Sequence, residues 1–491
     1  MSPFSHYPKK RLQKRTLSRR RFLTQFVVSG SFAAGSSLFL KGCAPDFAAL
    51  EAKLTSESPD ADEAQNSQPA DAQIADAQAA DDSAETALNN SSGVEPAEIK
   101  VGLLHSLSGS MALSEAAIVD AERMAIDEIN AAGGVLGKQL VPVQEDGASD
   151  WPTFAEKAEK LIDQREVAVI FGGLTSASRK AILPVVKAKN RLLWYPGSYE
   201  GQECSRNVFY AGSTANQQIE PAVNWMLGNR GKSFFLVSAN ARNVHNIVRA
   251  QLKEKGGKVA GEAYVPMTAG TNVDMSPVMK DIKEAMPEGG IILNSLVGSA
   301  NRAFFRALTG ASLSANKYLV MSVRVTEEEA FQIGPELLNG HYAASSYFQS
   351  IEGPDNQEWV KRFHDQYGAD RVIGDAMVSA YTMVHLWAQA VEAAQSIETE
   401  AVRAASYGLT FAAPQGRVTV QPNHHLSKPV SIGKLLDNAQ VDILDTKSAI
   451  APNPWSQYLP NSKGYSCDWS DPDKKGKYKP EASEPAPQKP E

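Results

Sequence analysis

The sequence has few cysteines, no excess of basic residues and no long apolar run beyond its N-terminus. Its 491 residues include only Cys43, Cys204 and Cys467, too few for a disulfide scaffold and without the paired spacing of a zinc site. No later stretch reaches the ~20 apolar residues of a membrane-spanning helix. The net charge of -7 gives no reason to expect nucleic acid as a partner. The length predicts roughly two to three domains with their own hydrophobic cores.

Catalytic signatures are also lacking. The sequence has no GxSxG elbow, no HExxH pair, no phosphate-binding loop and no cysteine beside a base partner. Its one histidine pair, His424 and His425, lies in a turn-like segment, where adjacent side chains on an extended chain point to opposite sides. We therefore predict that the protein is not an enzyme and has no metal site and no cofactor.

The N-terminus has the order of an export signal. Basic residues include the pair Arg19 and Arg20, with Arg21 directly after it, and a weakly apolar stretch follows at 26–40, which is typical of a twin-arginine signal. Leucine and glycine then precede Cys43 as in a lipoprotein cleavage site, although Lys41 departs from that pattern. We predict that residues 1–43 are the signal and that Cys43 is acylated and anchors the protein to the membrane, in the periplasm or its extracytoplasmic equivalent. The alternatives are a plain cleaved signal and an uncleaved anchor.

The following segment, 44–97, is rich in Ala, Asp, Glu, Gln and Ser, and Lys53 is its single basic residue. Such a composition does not bury enough apolar surface to fold, so we predict a disordered acidic linker. Export would also place Cys204 and Cys467 in an oxidising compartment. Both lie in turn-like segments, and we hypothesise that they pair.

The body alternates predicted strands and helices. A strand at 99–104 and a helix at 114–131 begin the first series, and a second series begins at 233. This order predicts an α/β protein with two doubly wound parallel-sheet lobes, a multi-strand hinge and a ligand cleft between the lobes. The predicted division is 98–232 and 346–412 for lobe 1, 233–345 and 413–450 for lobe 2, and 451–491 for a C-terminal extension.

Two predicted strands of the first lobe end in polar or aromatic residues. Gly172 and Gly173 lead into a helix that starts at Thr175 and Ser176, so backbone N–H groups and hydroxyls would face the cleft. The next strand ends near Tyr195 at the same sheet edge. These groups suit a small neutral solute, whereas the alternatives are ordinary helix capping and core tyrosines.

Several segments resemble the type I periplasmic binding proteins. They include 105–109, 175–180, 193–201, 413–416 and 452–456, and they are most similar to the branch with urea-binding lipoproteins of ABC importers and cytoplasmic amide-sensing regulators. The resemblance implies the type I periplasmic binding protein fold, an ABC permease as partner, and urea or a short amide as ligand. It assigns ligand binding to Ser106, Ser108, Thr175, Ser176, Tyr195, Gly197, Tyr199, Ser322 and Arg324.

The sequence departs from that branch at polar ligand contacts. Leu174 replaces an aromatic residue, Val297 and Val378 replace polar ones, and Arg324 replaces a serine. Each buried polar group left unpaired costs ~1–3 kcal/mol, so these changes should weaken urea binding and favour amides with a small alkyl group. An inward Arg324 would favour a carboxylate instead. Another amide, an amino-acid-like solute and a sensor that signals by lobe closure stay open.

Overall fold

The computed structural model describes residues 98–239, 242–266, 273–474 and 476–480. The predicted signal with Cys43 and the predicted acidic linker lie outside these ranges. Within them, no helix combines the length and the apolar character needed to cross a membrane.

The strands, in chain order, are β1 (Glu98–His105), β2 (Gln139–Asp146), β3 (Val169–Gly172), β4 (Leu192–Tyr195), β5 (Val208–Tyr210), β6 (Ser233–Ser238), β7 (Lys258–Tyr264), β8 (Gly290–Ser295), β9 (Tyr318–Ser322), β10 (Tyr342–Ser345), β11 (Thr410–Ala413), β12 (Gly416–Val420), β13 (Leu426–Leu435), β14 (Val441–Ile450), β15 (Ser466–Asp468) and β16 (Gly476–Tyr478).

The α-helices are α1 (Ala112–Ala131), α2 (Trp151–Asp163), α3 (Ser176–Ala188), α4 (Ile219–Asn229), α5 (Arg242–Lys255), α6 (Ser276–Ala285), α7 (Ser299–Gly310), α8 (Glu327–Ile333), α9 (Pro335–Leu338), α10 (Pro354–Tyr367), α11 (Asp375–Ala394) and α12 (Thr399–Ser406).

The first lobe is built on a parallel sheet with the order β2-β1-β3-β4-β5. Both faces of its central strands are apolar because helices cover both faces. Val101 and Leu103 of β1 pack into a core with α1, α10, α11 and α12, whereas Leu104 points to a second core with α2 and α3. Successive side chains of a strand point to opposite faces, which explains the alternation.

The second lobe has a mixed sheet. Strands β7-β6-β8-β9-β10 are parallel, and β13 pairs antiparallel with β10 and with β14. Phe235 and Val237 pack into a core with α6, α7, α8 and α9, and Phe234 and Leu236 pack against α4 and α5. The predicted parallel arrangement therefore describes the centre of this sheet, and the hinge strands extend it in the antiparallel sense.

The chain crosses between the lobes at residues 211–218, between Ser345 and Pro354, and along the antiparallel pair β13 and β14. Two predicted boundaries need correction. The prediction places helix α4 in lobe 1, but its residues Ile219 and Met226 pack in the second lobe. It places strand β12 and the start of β13 in lobe 2, but Val418 and Leu426 pack in the first. The hydrophobic pattern identifies a helix or strand without indicating which of two similar sheets it covers.

The C-terminal segment after β14 returns to the first lobe. The Gln202 N–H donates to the Pro454 carbonyl oxygen at 2.7 Å, and a disulfide joins Cys204 to Cys467. The hypothesis that these two cysteines pair is therefore confirmed, and described residues of the extension form part of the folded body.

Candidate functional site

A small cavity lies between the two lobes and the hinge. Its volume is ≈ 50 Å³, space for about four water molecules. The first lobe contributes Ser114, Leu174, Ser198, Asp375 and Ala376; the second contributes Val297, Val323, Arg324, Val325, Thr326 and Glu329; the hinge contributes Gln218, Ala344 and Ser345.

The cavity lies where ligands bind in open α/β sheets, beyond the carboxyl ends of parallel strands. Leu174 follows β3 and Ser198 follows β4 in the first lobe. The segment 323–326 follows β9 in the second lobe and leads into α8. Helix α11 begins at Asp375, so the N-terminus of that helix also reaches the cavity.

Arg324 is the cationic side chain in the cavity wall. It is half-buried and makes no hydrogen bond or ion pair with another described residue. Burial raises the pKa of the Tyr195 phenol to about 12, and the positive charges of Arg179 and Arg324 oppose that shift. A guanidinium that lines a confined cavity and makes no ion pair with a described residue is suited to bind an anion.

Two acidic side chains also line the cavity. Glu329 accepts hydrogen bonds through Oε2 from the backbone N–H of Thr326 at 3.0 Å and from its hydroxyl at 2.8 Å. Burial raises the pKa of Glu329, and the nearby charge of Asp375 raises it further. Asp375 accepts hydrogen bonds from the hydroxyls of Ser346 and Ser198.

A buried lysine on the hinge strand β13 interacts electrostatically with Asp375. The Lys428 amine is fully buried and donates to the Ala211 carbonyl oxygen at 2.5 Å. Burial lowers its pKa to about 8, and the charge of Asp375 opposes that shift. Asp375 is thus supported by two hydroxyls and a nearby cation, while Arg324 has no such partner among the described residues.

Ser106 and Ser108, two of the predicted ligand residues, lie beside the cleft but outside the cavity wall. The backbone N–H of Ser106 donates to Glu115 Oε2 at 2.7 Å, and its buried hydroxyl has no hydrogen-bond partner among the described residues. The Ser108 hydroxyl donates to Asp146 Oδ2 at 2.7 Å. Their role in ligand binding stays a prediction.

The predicted first-lobe contacts at the start of α3 engage their own lobe. The Thr175 hydroxyl caps α3 by accepting the Ser178 N–H at 3.0 Å. The Ser176 hydroxyl donates to Glu200 Oε2 at 2.8 Å. These are the contacts of the capping alternative.

The aromatic residues of the same prediction form a buried cluster. The Tyr195 hydroxyl donates to the Leu174 carbonyl oxygen at 2.6 Å, and the Tyr199 hydroxyl lies 2.6 Å from His425 Nε2. The Arg179 guanidinium lies 4.3 Å from the centre of the Tyr199 ring. A Cβ at Gly197 would lie 2.4 Å from the Leu174 carbonyl oxygen, so this position requires glycine. The cluster supports the cavity wall at Leu174, and direct ligand contact by its members stays a prediction.

Only some of the residues predicted for the second-lobe side of the cleft line the cavity. Arg324 lines the cavity, whereas the Ser322 hydroxyl is buried beside it and accepts from Asn294 Nδ2 at 3.1 Å. Val297 lines the cavity as its apolar character suggests. Val378 does not, because it lies in the core of the first lobe.

Sequence reasoning missed seven polar residues of the cavity. They are Ser114, Ser198, Gln218, Thr326, Glu329, Ser345 and Asp375. Three of them carried a usable signal: Thr326 and Glu329 form a Thr-x-x-Glu capping box after a strand, and Asp375 opens a long helix after Gly374. Gln218 and Ser345 lie where the chain crosses between the lobes, which the sequence pattern does not locate.

His424 and His425 are core residues. The Tyr407 hydroxyl lies 3.0 Å from His424 Nε2, and burial lowers the pKa of each histidine to about 3. Within the described ranges, no group of three or more His, Cys, Asp or Glu side chains could hold a metal ion.

A family model described as a periplasmic binding protein domain matches residues 99–461. Among curated proteins, the chain is 24% identical over 329 residues to the Leu/Ile/Val-binding protein BraC3 of Rhizobium johnstonii, covering 63% of this chain and 83% of that protein. It is 28% identical over 215 residues to Leu/Ile/Val-binding protein homolog 7 of Brucella abortus, covering 40% and 53%.

A third relative has an enzyme name. The chain is 35% identical over 112 residues to a limonene hydroxylase of Geobacillus stearothermophilus, covering 23% of this chain and 21% of that protein. The chain thus spans about a fifth of the length of this protein and about half of the length of the Brucella homolog.

Solved structures share the fold. A solute binding protein of an ABC transporter from Rhodopseudomonas palustris, in complex with p-hydroxybenzoic acid, superposes with a TM-score of 0.65 at 21% identity, covering 73% of this chain and 98% of that one. The branched-chain amino acid binding protein LivJ from Streptococcus pneumoniae, in complex with isoleucine, gives 0.61 at 19% identity, covering 72% and 99%. The predicted type I periplasmic binding protein fold is confirmed.

Proposed function

We propose that this chain, which belongs to the periplasmic binding protein family, is the solute-binding component of an ABC importer and captures a small carboxylate-bearing solute in the cavity between its lobes. The observation that carries the choice of ligand is Arg324, a guanidinium in the cavity wall without a hydrogen bond or ion pair to another described residue. Members of this family are extracytoplasmic transport components and not enzymes.

The charge of the cavity favours a carboxylate over a neutral solute. A guanidinium and a carboxylate form two parallel charge-assisted hydrogen bonds. A neutral amide would leave the charge of Arg324 uncompensated when the cleft closes and excludes water. Asp375 does not supply that compensation, because no ion pair joins it to Arg324 and its oxygens accept from Ser346 and Ser198.

The remaining wall favours a short hydrocarbon body. Leu174, Val297, Val323, Val325 and Ala376 surround the charged and hydroxyl groups. Burying apolar surface contributes about 25 cal/mol per Å². The volume of ≈ 50 Å³ limits the solute to a small molecule.

The ligands of the solved relatives agree with this chemistry. Isoleucine and p-hydroxybenzoic acid both carry a carboxyl group and an apolar body. Urea or a short amide, which the resemblance in the sequence implies, is the second candidate and is supported by the hydroxyls of Ser114 and Ser198 in the wall.

The remaining parts of the proposal concern the cellular location of the protein and its partners. The arginine pair and Cys43 predict export and acylation, which would hold the protein at the outer face of the membrane near its permease. The disulfide between Cys204 and Cys467 supports an oxidising compartment.

Four probes test the ligand class: 3-methylbutanoate, L-valine, 3-methylbutanamide and urea. The first three share a carbon skeleton and differ in charge. We expect 3-methylbutanoate to raise the unfolding temperature, since a ligand stabilises by RT ln(1 + [L]/Kd), and its Kd from calorimetry to rise about 10- to 100-fold in Arg324→Met. Arg306→Met, an exposed change on α7, is the control. Binding of the amide or urea more tightly than both acids, unchanged by Arg324→Met, would overturn the carboxylate.

A further inference from the structure

We propose that the solute carboxylate is held jointly by Arg324 and by a protonated Glu329, so that binding takes up one proton. This inference rests on the carboxylate ligand proposed above and adds a second ligand group and a pH dependence to it.

The hydrogen bonds of Glu329 determine where its proton lies. Oε2 accepts from both the N–H and the hydroxyl of Thr326, and this oxygen is therefore saturated as an acceptor. No other described residue donates a hydrogen bond to Oε1. A protonated carboxyl group has one O–H donor, and in Glu329 that donor must be on Oε1, within a side chain that lines the cavity.

The negative charge of Asp375 favours the protonated form of Glu329, whereas the positive charge of Arg324 favours the ionised form. Asp375 faces Glu329 from α11, Arg324 precedes it on the loop after β9, and Glu328 adjoins it on α8. The pKa of Glu329 is raised by burial and then by Asp375, and that of Glu328 is raised by burial and then by Glu329. Two cations act on the neighbouring acids: Lys428 on Asp375 and Arg371 on Glu328.

A bound carboxylate adds one more negative charge to this group. If Glu329 were ionised, the solute would meet two carboxylates, Glu329 and Asp375, with Arg324 as the cation in the wall. A proton on Oε1 removes one of these charges and donates a hydrogen bond to the solute. Two carboxyl groups that share one proton are a recognised way to bring such groups together.

Linkage gives the sign of the pH effect. Below the pKa of Glu329 in the empty protein, the proton is already present and the Kd for a carboxylate is independent of pH. Above that pKa the proton must be taken up on binding, and the Kd rises up to tenfold per pH unit. A neutral probe in the same cavity requires no proton.

The experiment is calorimetry with 3-methylbutanoate between about pH 5.5 and 8.5, in buffers with different ionisation enthalpies, which counts the protons taken up. We expect an uptake that approaches one proton as pH rises. Glu329→Gln keeps an N–H donor and should bind with a pH-independent Kd. Glu328→Gln, the matched control on a neighbour that is not in the cavity wall, should keep the uptake of one proton, although the pH at which uptake begins is expected to shift because the charges of Glu328 and Glu329 act on each other.

The outcomes separate the two proposals. Wild-type binding of 3-methylbutanoate that depends on Arg324 but takes up no proton overturns the role of Glu329 and leaves the proposed function intact. If Glu328→Gln loses the pH dependence and Glu329→Gln keeps it, the proton is taken up by Glu328, and this result also overturns the role of Glu329. Failure of the wild type to bind any carboxylate overturns both.

Discussion

A disulfide joins Cys204 to Cys467, whose Cα atoms lie 6.2 Å apart although 263 residues separate them in sequence. Cys204 follows Glu203, which forms an ion pair with the buried Arg179 at 2.9 Å. The Trp469 N–H donates to the Pro422 carbonyl oxygen at 2.9 Å, in the turn before the hinge strand β13. The bond therefore ties the loop after β4 to the C-terminal segment and to the start of the hinge.

The first prediction concerns this bond. Cross-linking restricts the unfolded chain, and removing a native disulfide costs about 2–5 kcal/mol. We expect Cys204→Ser/Cys467→Ser to lower the free energy of unfolding in urea by that amount. Reductant should lower the stability of the wild type to that of the double variant and leave the variant unchanged. Equal stability of oxidised and reduced wild type would contradict the prediction.

The second prediction concerns the buried histidines. His424 and His425 have a pKa of about 3 in the folded protein, against an ordinary value of 6.5 for a solvated histidine. A base with a lowered pKa contributes stability that is present above pH 6.5 and is lost as pH falls toward 3. The slope is up to about 1.4 kcal/mol per pH unit for each histidine.

Urea unfolding of wild type and His425→Gln between about pH 5 and 7 measures this slope. The variant should have the smaller slope, while Asn229→Ala, an exposed position on α4 without a titratable group, should keep that of the wild type. His105 has the opposite sign: burial lowers its pKa, but Glu122 and Glu115 raise it to about 10, so its contribution declines above pH 6.5. An unchanged slope in His425→Gln would contradict the assignment.

The third prediction concerns the hinge. The Gln217 side-chain amide donates to the carbonyl oxygens of Leu426 at 2.9 Å and Ile450 at 2.8 Å. It therefore joins the first crossing between lobes to both later hinge strands. Gln217→Leu leaves two carbonyl groups without this donor, and we expect a loss of about 1–3 kcal/mol in the free energy of unfolding. Asn229→Ala removes an exposed hydrogen bond from the Asn229 side-chain amide to the Trp225 carbonyl oxygen. This change should alter the free energy of unfolding by less than about 0.5 kcal/mol. If both changes alter the free energy of unfolding equally, the hydrogen bonds of Gln217 at the hinge contribute no more to stability than an exposed hydrogen bond does.

The sequence predicts the strands and helices better than their assignment to lobes. Helix α1 is predicted at 114–131 and spans Ala112–Ala131, because its apolar residues recur at helical spacing over many turns. Helix α4 is predicted but placed in the wrong lobe, since a helix after a parallel strand could cover either sheet. Strand β5 escapes prediction because its three residues, Val208–Tyr210, are too few for a recognisable pattern.

The candidate site is likewise predictable from the sequence only in part. The resemblance places Arg324 and Val297 at the cleft, because they replace polar ligand contacts of that branch, and both line the cavity. Ser176 and Tyr195 also follow strands, but a neighbouring carboxylate and a carbonyl group accept their hydroxyls within the first lobe. Asp375 escapes prediction although 346–412 is assigned to lobe 1, because helical spacing does not indicate which end of a helix faces the cleft.

The last prediction concerns closure of the lobes and follows from Gly298. This residue precedes α7 in the second lobe with a φ of 57°, and a Cβ at this position would lie 2.7 Å from the Ser110 carbonyl oxygen of the first lobe. That distance is shorter than real Cβ contacts, so Gly298→Ala requires the lobes to move apart or the loop to shift. We expect a weaker affinity for 3-methylbutanoate and a larger radius of gyration in solution scattering with ligand present.

Two controls separate closure from backbone strain. Gly256 has a φ of 74°, and a Cβ added there would meet no described atom within 4 Å, so Gly256→Ala adds strain of about 1 kcal/mol without a clash. A Cβ added at Gly310, at the end of α7, would likewise meet no described atom within 4 Å, and this glycine is not held at positive φ. Both alanine variants should bind as the wild type does. If Gly256→Ala weakens binding as much as Gly298→Ala, the effect of Gly298 comes from strain; if neither weakens it, the lobes do not need this contact to close around the solute.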